Sequence, residues 1–140
     1  MKIKLKNIYD SHSIIENETG NSILIDNKTS QNPKGVSPME LLLMGVAGCS
    51  SIDIISILKK QKQKFENLTI EVEGIREKGE LPALFQKIHS KIKFDGNIDE
   101  KKAFRACELS FTKYCSVSKT LEATADITFS VYINNKKVLT

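Results

Sequence analysis

Ser37-Pro38-Met39-Glu40-Leu41-Leu42-Leu43-Met44-Gly45-Val46-Ala47-Gly48-Cys49 opens the longest helix that the sequence predicts. Ser37 can cap, Pro38 suits the first helical position, and Glu40, three residues after the cap, completes a capping box. From there the pattern extends to about Lys62, a helix of about 25 residues and 37 Å. Its first half is apolar nearly all round, through Leu41, Leu42, Leu43, Met44, Val46 and Ala47, and such a helix is buried on most sides. Its second half is amphipathic, with Ile54, Ile55 and Leu58 on one side. Lys59, Lys60, Lys62 and Lys64 close it, and cations at that end suit the helix dipole. One sheet face cannot cover a helix that is apolar all round. The pattern therefore predicts a homodimer in which two such helices share a core.

The segment before this helix has the pattern of a small antiparallel meander. Ile3 and Leu5 alternate with Lys2, Lys4 and Lys6, and a polar stretch at Asp10-Ser11 precedes Ile14-Ile15. Glu18-Thr19-Gly20-Asn21 is a hairpin signal, and Ser22 to Asp26 is a third strand. Residues 27–36, with Asn32, Pro33 and Gly35, form a loop long enough to invite a functional role. Beyond the helix, Leu68, Ile70 and Val72 alternate with polar residues, as do Leu84, Ile88, Ile92 and Phe94. These two strands are joined around Glu77-Lys78-Gly79-Glu80. Asp99 caps a second helix to about Tyr114, with the apolar stripe Phe104, Cys107, Phe111 and Tyr114. Cys115-Ser116-Val117-Ser118 then breaks the pattern and caps a short third helix through about Leu121. A last strand sets Ala123, Ala125, Ile127, Phe129, Val131 and Ile133 on one face, and Asn134-Asn135 turns it towards Val138-Leu139. The order βββ-α-ββ-α-ββ predicts one α+β domain over residues 1–140, a mainly antiparallel sheet packed on its helices.

Composition narrows the function classes. A chain of 140 residues, 27% charged and 40% hydrophobic, is an ordinary soluble protein that can bury a substantial core. The net charge is +4, but only Arg76 and Arg105 among the 21 basic residues are arginines, and the lysines are scattered. Lysine lacks the planar fork that reads phosphates and guanine edges, so no nucleic-acid partner is expected. The longest apolar run, Leu41 to Cys49, is nine residues, well short of the roughly 20 that span a membrane. No signal peptide is visible at the N-terminus, which predicts a cytoplasmic protein without a membrane partner. Three cysteines without a secretory signal argue against a disulfide scaffold. With no C-x-x-C and with His12 and His89 far from every cysteine, a zinc site of the usual local spacing is unsupported, and neither metal nor cofactor is expected.

The candidate chemistry rests on Cys49 and Cys115. A mid-helix cysteine such as Cys49 receives little help from the helix dipole, and burial disfavours a thiolate, so it needs a cation from elsewhere to react. Gly45 and Gly48 beside it would admit another backbone or a small ligand. Cys115 stands at a helix start, where N–H groups partly activate a thiol. Cys107, on the apolar stripe, is a core residue. Glu40 is explained as the capping-box acid. As a functional carboxylate it lies nine residues before Cys49, on the opposite face of an ideal helix, and would need a kink or a second subunit. Asp53, four residues after Cys49, shares its face and suits a hydrogen-bonding role. His12 and His89 have the setting of surface residues.

Gly35-Val36-Ser37-Pro38-Met39-Glu40-Leu41-Leu42-Leu43, running into Ala47-Gly48-Cys49-Ser50-Ser51-Ile52-Asp53, resembles the OsmC/Ohr family of osmotically inducible and organic hydroperoxide resistance proteins. Lys113-Tyr114-Cys115-Ser116-Val117-Ser118-Lys119-Thr120-Leu121 is the second half of the resemblance, which covers nearly the whole chain. It implies a sheet wrapped around two central helices and an intertwined homodimer with two interface sites. It also implies that Cys49 reduces an organic hydroperoxide, that Cys115 resolves the product as a disulfide, and that a dithiol restores both. The chain differs from the peroxidase branch in three places: it has no arginine before Arg76, its acid Glu40 follows Met39 rather than the proline, and Cys115 precedes serine. Those differences resemble the OsmC-like branch. The alternatives are a non-enzymatic dimer holding a small apolar ligand in an interface pocket and, ranked lower, a thioesterase-like fold.

Overall fold

The chain runs through β1 Ile3–Tyr9, β2 His12–Asn17, β3 Ser22–Ile25, α1 Pro38–Lys60, β4 Asn67–Arg76 and β5 Phe85–Asp95. There follow α2 Glu100–Leu109, a π-helical turn Ser110–Tyr114, α3 Ser116–Leu121, β6 Asp126–Ile133 and β7 Lys136–Lys137. This computed structural model describes residues 1–139. Within α1 the chain divides into two units, Met1–Leu42 and the residues from Leu43 onward.

In the first unit β1, β2 and β3 form an antiparallel sheet in sequence order, the meander expected from the alternation. The loop that follows is organised by Asp26, a buried carboxylate. It accepts hydrogen bonds from Ser11 Oγ at 2.6 Å, the Asn27 N–H at 2.7 Å and the Lys34 N–H at 2.9 Å. Those donors, the Lys34 N–H foremost, hold the Asp26 carboxyl down at about 2. His12 is not the surface residue its sequence context suggests. It is half-buried, with Nδ1 3.9 Å from Asp26 Oδ2. The unit ends in the start of α1, where the capping box forms as expected: Glu40 N–H donates to Ser37 Oγ at 3.3 Å, and Ser37 N–H donates to Glu40 Oε2 at 2.8 Å.

In the second unit the strand order is β4-β5-β6-β7. β4–β5 and β6–β7 are antiparallel, but β5–β6 is parallel. The mainly antiparallel sheet thus contains one parallel pair. A parallel neighbour requires a long crossover, and the α2–α3 segment supplies it. Side-chain alternation within a strand carries no information on the direction of its neighbour. Ile88, Ile92 and Phe94 of β5 are fully buried, as are Val131 of β6 and Val46, Ile54 and Leu58 of α1. Each such side chain contributes roughly 1.5–3 kcal/mol when fully buried. Phe129 of β6 stacks on Phe111 at 5.2 Å and meets Phe104 of α2 at 5.5 Å, which fixes the second helical segment to the sheet.

Three details depart from simple periodicity. The β4–β5 register shifts between Ile75 and Arg76, leaving an extra residue on β5, so Phe85 is buried and Leu84 is exposed. Gly74 makes this possible, because a Cβ there would lie 2.4 Å from Phe85 Cε1. α1 stops at Lys60, two residues early, because Lys62 takes the left-handed conformation at φ 55° and Gln63 N–H donates back to the Leu58 carbonyl at 2.9 Å. The third departure is the π-helical turn, described with the site.

By length and composition α1 is apolar enough to cross a membrane. Its stripe Val46, Ser50, Ile54 and Leu58, four residues apart, is nevertheless buried inside the protein. Ser50 is accommodated there because its hydroxyl donates back to the Val46 carbonyl at 2.8 Å. Other sides leave apolar groups in solvent: Leu42 and Met44 are exposed, and Ile52 is 70% exposed.

The substitution Gly74→Ala tests the bulge. It should destabilise the protein by about 1–3 kcal/mol, since the Phe85 ring must leave its place. The measurement is urea unfolding, and a change within experimental error would show that Phe85 does not depend on the missing side chain.

Candidate functional site

Cys49 and Asp53, four residues apart on α1, lie on one face of the helix. Cys115 reaches them from a distant part of the chain because the second helical segment does not continue regularly. After α2 the chain widens into the π-helical turn, and the Cys115 N–H donates to the Ser110 carbonyl five residues back, at 2.8 Å. The extra residue per turn changes the phase of the apolar stripe. Tyr114, expected on the buried face, is half-exposed, and Cys115 takes the buried position with no exposed surface.

The three ligating atoms, Cys49 Sγ, an Asp53 carboxylate oxygen and Cys115 Sγ, all lie within 4.8 Å of one another. No disulfide joins the cysteines. A disulfide between them would need the sulphurs to close to about 2.05 Å. Cys49 is half-buried, whereas Cys115 and Cys107 are buried. Solvent therefore reaches the pair from the Cys49 side.

Hydrogen bonds tune the site. Cys115 itself is the N-cap of α3: its Sγ accepts from the Ser118 N–H at 3.4 Å and from the Ser118 hydroxyl at 3.1 Å. Burial pushes the Cys115 thiol up. The two Ser118 donors oppose that, and the neighbouring Cys49 thiol adds to it. The net direction is upward, so the helix-start donors soften the effect of burial without reversing it. Asp53 Oδ2 accepts from the Ser110 hydroxyl at 3.2 Å, the hydrogen-bonding role expected of it. Nothing in the sequence marks Ser110 or Ser118 as partners of these groups. A buried serine in a helix gives no signal of which distant side chain it meets.

The glycines divide. A Cβ on Gly45 would lie 3.3 Å from Val117 Cγ1, so Gly45 lets α3, and Cys115 with it, approach α1. A Cβ on Gly48 would meet nothing within 4 Å, leaving open space next to Cys49. Cys107 is core: burial pushes its thiol up to about 12. His89 lies on the exposed face of β5, where its ring nitrogens meet Thr128 Oγ1 at 2.8 Å and Ser130 Oγ at 2.9 Å. Glu40 sits in the first turn of α1 and in the first unit. The Ser37 N–H foremost, its hydroxyl, and Lys28 at 4.0 Å hold the Glu40 carboxyl below its ordinary range.

Residues 30–130 match the sequence profile of the OsmC-like protein family. Protein YhfA of Escherichia coli K12 is 37% identical over 116 residues, covering 82% of this chain and 84% of its own. An OsmC-like protein from Mycoplasma pneumoniae has a similar structure, with TM-score 0.82 at 18% identity over 94% of this chain and 95% of that one. The organic hydroperoxide resistance protein OhrB of Bacillus subtilis also shares the fold, with TM-score 0.64 at 19% identity over 93% and 96% of the two chains.

Two measurements follow from the thiol environments. A group whose folded pKa lies above its unfolded value favours the protonated native state, so its contribution is complete below the unfolded pKa and disappears as pH rises through the folded one. With both Cys107 and Cys115 shifted upward, the reduced protein should lose stability as pH rises from the ordinary thiol range towards 12. Cys107→Ala should make that alkaline loss shallower in denaturant unfolding at several pH values. An unchanged slope would show that Cys107 is not shielded. Ser118→Ala, which removes the hydroxyl donor, should move the Cys115 thiol further up in a thiolate absorbance titration, with Cys49 and Cys107 replaced to isolate it.

Proposed function

The chain belongs to the OsmC-like protein family, and from that premise we propose that it reduces organic hydroperoxides with Cys49 as the attacking thiol and Cys115 as the resolving one. The observation that carries the proposal is the meeting of Cys49 and Cys115, 66 residues apart in the sequence, within 4.8 Å, together with the Asp53 carboxylate. The Cys49 thiolate takes the terminal oxygen of the hydroperoxide, the O–O bond breaks, and the alkoxide leaves as an alcohol after gaining a proton. Cys49 is then a sulfenic acid. Cys115 attacks its sulphur, water leaves, and a Cys49–Cys115 disulfide remains. An external dithiol returns both to thiols and is itself oxidised to a disulfide.

Several features support this. Cys49 is half-buried and so open to solvent, with open space at the neighbouring Gly48, whereas Cys115 is shielded from direct oxidation. A cleft of about 320 Å³ adjoins the site at Asp53; Ile57, Leu109 and Tyr114 on its wall would take the apolar portion of a hydroperoxide, and Ser56, Lys60 and Gln61 give the rest of the wall a polar character. We propose further that the active form is a cytoplasmic homodimer. The exposed Leu42, Met44 and Ile52 on α1 are apolar surface that a second copy would cover. Glu40 enters the proposal only as an acid supplied by that second copy, along with a cation to favour the Cys49 thiolate.

Fully reduced protein, mixed rapidly with an organic hydroperoxide and a dithiol, should consume peroxide faster than free cysteine does. Cys49→Ser should fall to the free-cysteine rate. Cys115→Ser should stop after one turnover when no dithiol is present, forming a Cys49 sulfenic acid that a dithiol then reduces directly, and Cys107→Ser should match the native protein. Consumption no faster than that of free cysteine would overturn the proposed activity.

A further inference from the structure

Cys49 and Asp53 lie four residues apart on α1, and folding brings Cys115, 66 residues from Cys49, to them. We propose that Cys49, Asp53 and Cys115 form a binding site for Zn²⁺, and that the ion, when bound, holds the thiols in a form that cannot reduce peroxide. Their ligating atoms lie within 4.8 Å of one another. In a tetrahedral zinc site, with Zn–S near 2.3 Å and Zn–O near 2.0 Å, ligand atoms are roughly 3.5–3.8 Å apart. Movement of roughly 1 Å would close the site, within the reach of side-chain rotation.

The donor set selects the ion. Two thiolates disfavour Mg²⁺ and Ca²⁺, which take oxygen ligands in larger numbers. Two sulphurs and one carboxylate suit Zn²⁺ and leave a fourth position for water or an incoming thiol. The surrounding hydrogen bonds orient the ligands as metal sites require. Ser110 fixes the Asp53 carboxylate by donating to Oδ2 at 3.2 Å. The Ser118 N–H and hydroxyl, at 3.4 and 3.1 Å from Cys115 Sγ, would stabilise a metal-bound thiolate. An ion would enter from the half-buried Cys49 side. On binding, both thiols release their protons to solvent, and no electron moves. The two thiolates and the carboxylate carry three negative charges, leaving the zinc complex with a net charge of −1. Coordination stands on the geometry alone; inhibition rests on the peroxidase activity proposed above.

The test uses metal-free, reduced, full-length protein. Zn²⁺ is titrated in competition with a chromophoric chelator. Co²⁺ is titrated separately, to look for thiolate-to-cobalt charge-transfer absorption. A single turnover of hydroperoxide by reduced protein freed of dithiol, which would itself chelate zinc, is measured with and without Zn²⁺. The expected result is one Zn²⁺ per chain, a cobalt–thiolate band and turnover lost on zinc addition. Affinity should fall at least about 100-fold in Cys49→Ser and Cys115→Ser, about tenfold in Asp53→Asn, and not at all in Cys107→Ser. Cys49→Ser and Asp53→Asn, at half-buried positions, decide the matter if Cys115→Ser does not fold. Zinc affinity unchanged in Cys49→Ser, or no binding alongside normal turnover, would overturn the metal site and leave the peroxidase proposal standing. Zinc binding that depends on Cys49, in a protein whose metal-free form does not reduce peroxide, would uphold the metal site and overturn the peroxidase.

Discussion

The hydrogen bond from the Cys115 N–H to the Ser110 carbonyl, 2.8 Å long and spanning five residues, decides what the second unit can do. Had the helix continued with four-residue bonds, the apolar stripe would have kept its phase and Tyr114 would have faced inward. The wide turn instead buries Cys115, exposes Tyr114 and starts α3 with a cysteine as its cap. The same turn begins at Ser110, whose hydroxyl holds Asp53. One local change in helical pitch therefore both delivers the second thiol and positions the carboxylate beside the first. Phe129 stabilises the arrangement from below, stacked on Phe111 within the turn and in contact with Phe104 before it.

α1 provides the complementary half. Its buried stripe, Val46, Ser50, Ile54 and Leu58, anchors it in the second unit, while Cys49 and Asp53 occupy an adjacent face. Gly45 then allows α3 to approach, since any larger side chain would press on Val117. Packing thus determines the distance between two thiols that hydrogen bonding alone would not bring together. Cys107 shows the opposite outcome. It is as buried as Cys115 and its thiol is pushed up to about 12, but it serves as core.

Much of this architecture was legible in the chain. The capping box at Ser37 and Glu40, the meander before it, the cap at Asp99 and the turn at Asn134-Asn135 are local, because each depends on residues a few positions apart. What escaped depends on longer range or on a change of phase. The parallel pairing of β5 with β6 is invisible in either strand, and the bulge that buries Phe85 in place of Leu84 depends on Gly74 in the neighbouring strand. The π-helical turn inserts a residue where a regular period would predict none. For the site, the sequence pointed to Cys49 and Cys115 and to a hydrogen-bonding role for Asp53. It could not show that the three share one small volume, nor that Ser110 and Ser118 are the groups that hold them.

The central claim is that Cys49 and Cys115 act as a pair and Cys107 does not. Mapping the cross-links formed when reduced protein meets one equivalent of an organic hydroperoxide tests it most directly. Free thiols are blocked, the chain is digested, and the peptides are identified by mass. One new linkage is expected, Cys49 to Cys115, with Cys107 recovered as a free thiol. A disulfide containing Cys107, or all three cysteines recovered as thiols, would contradict it.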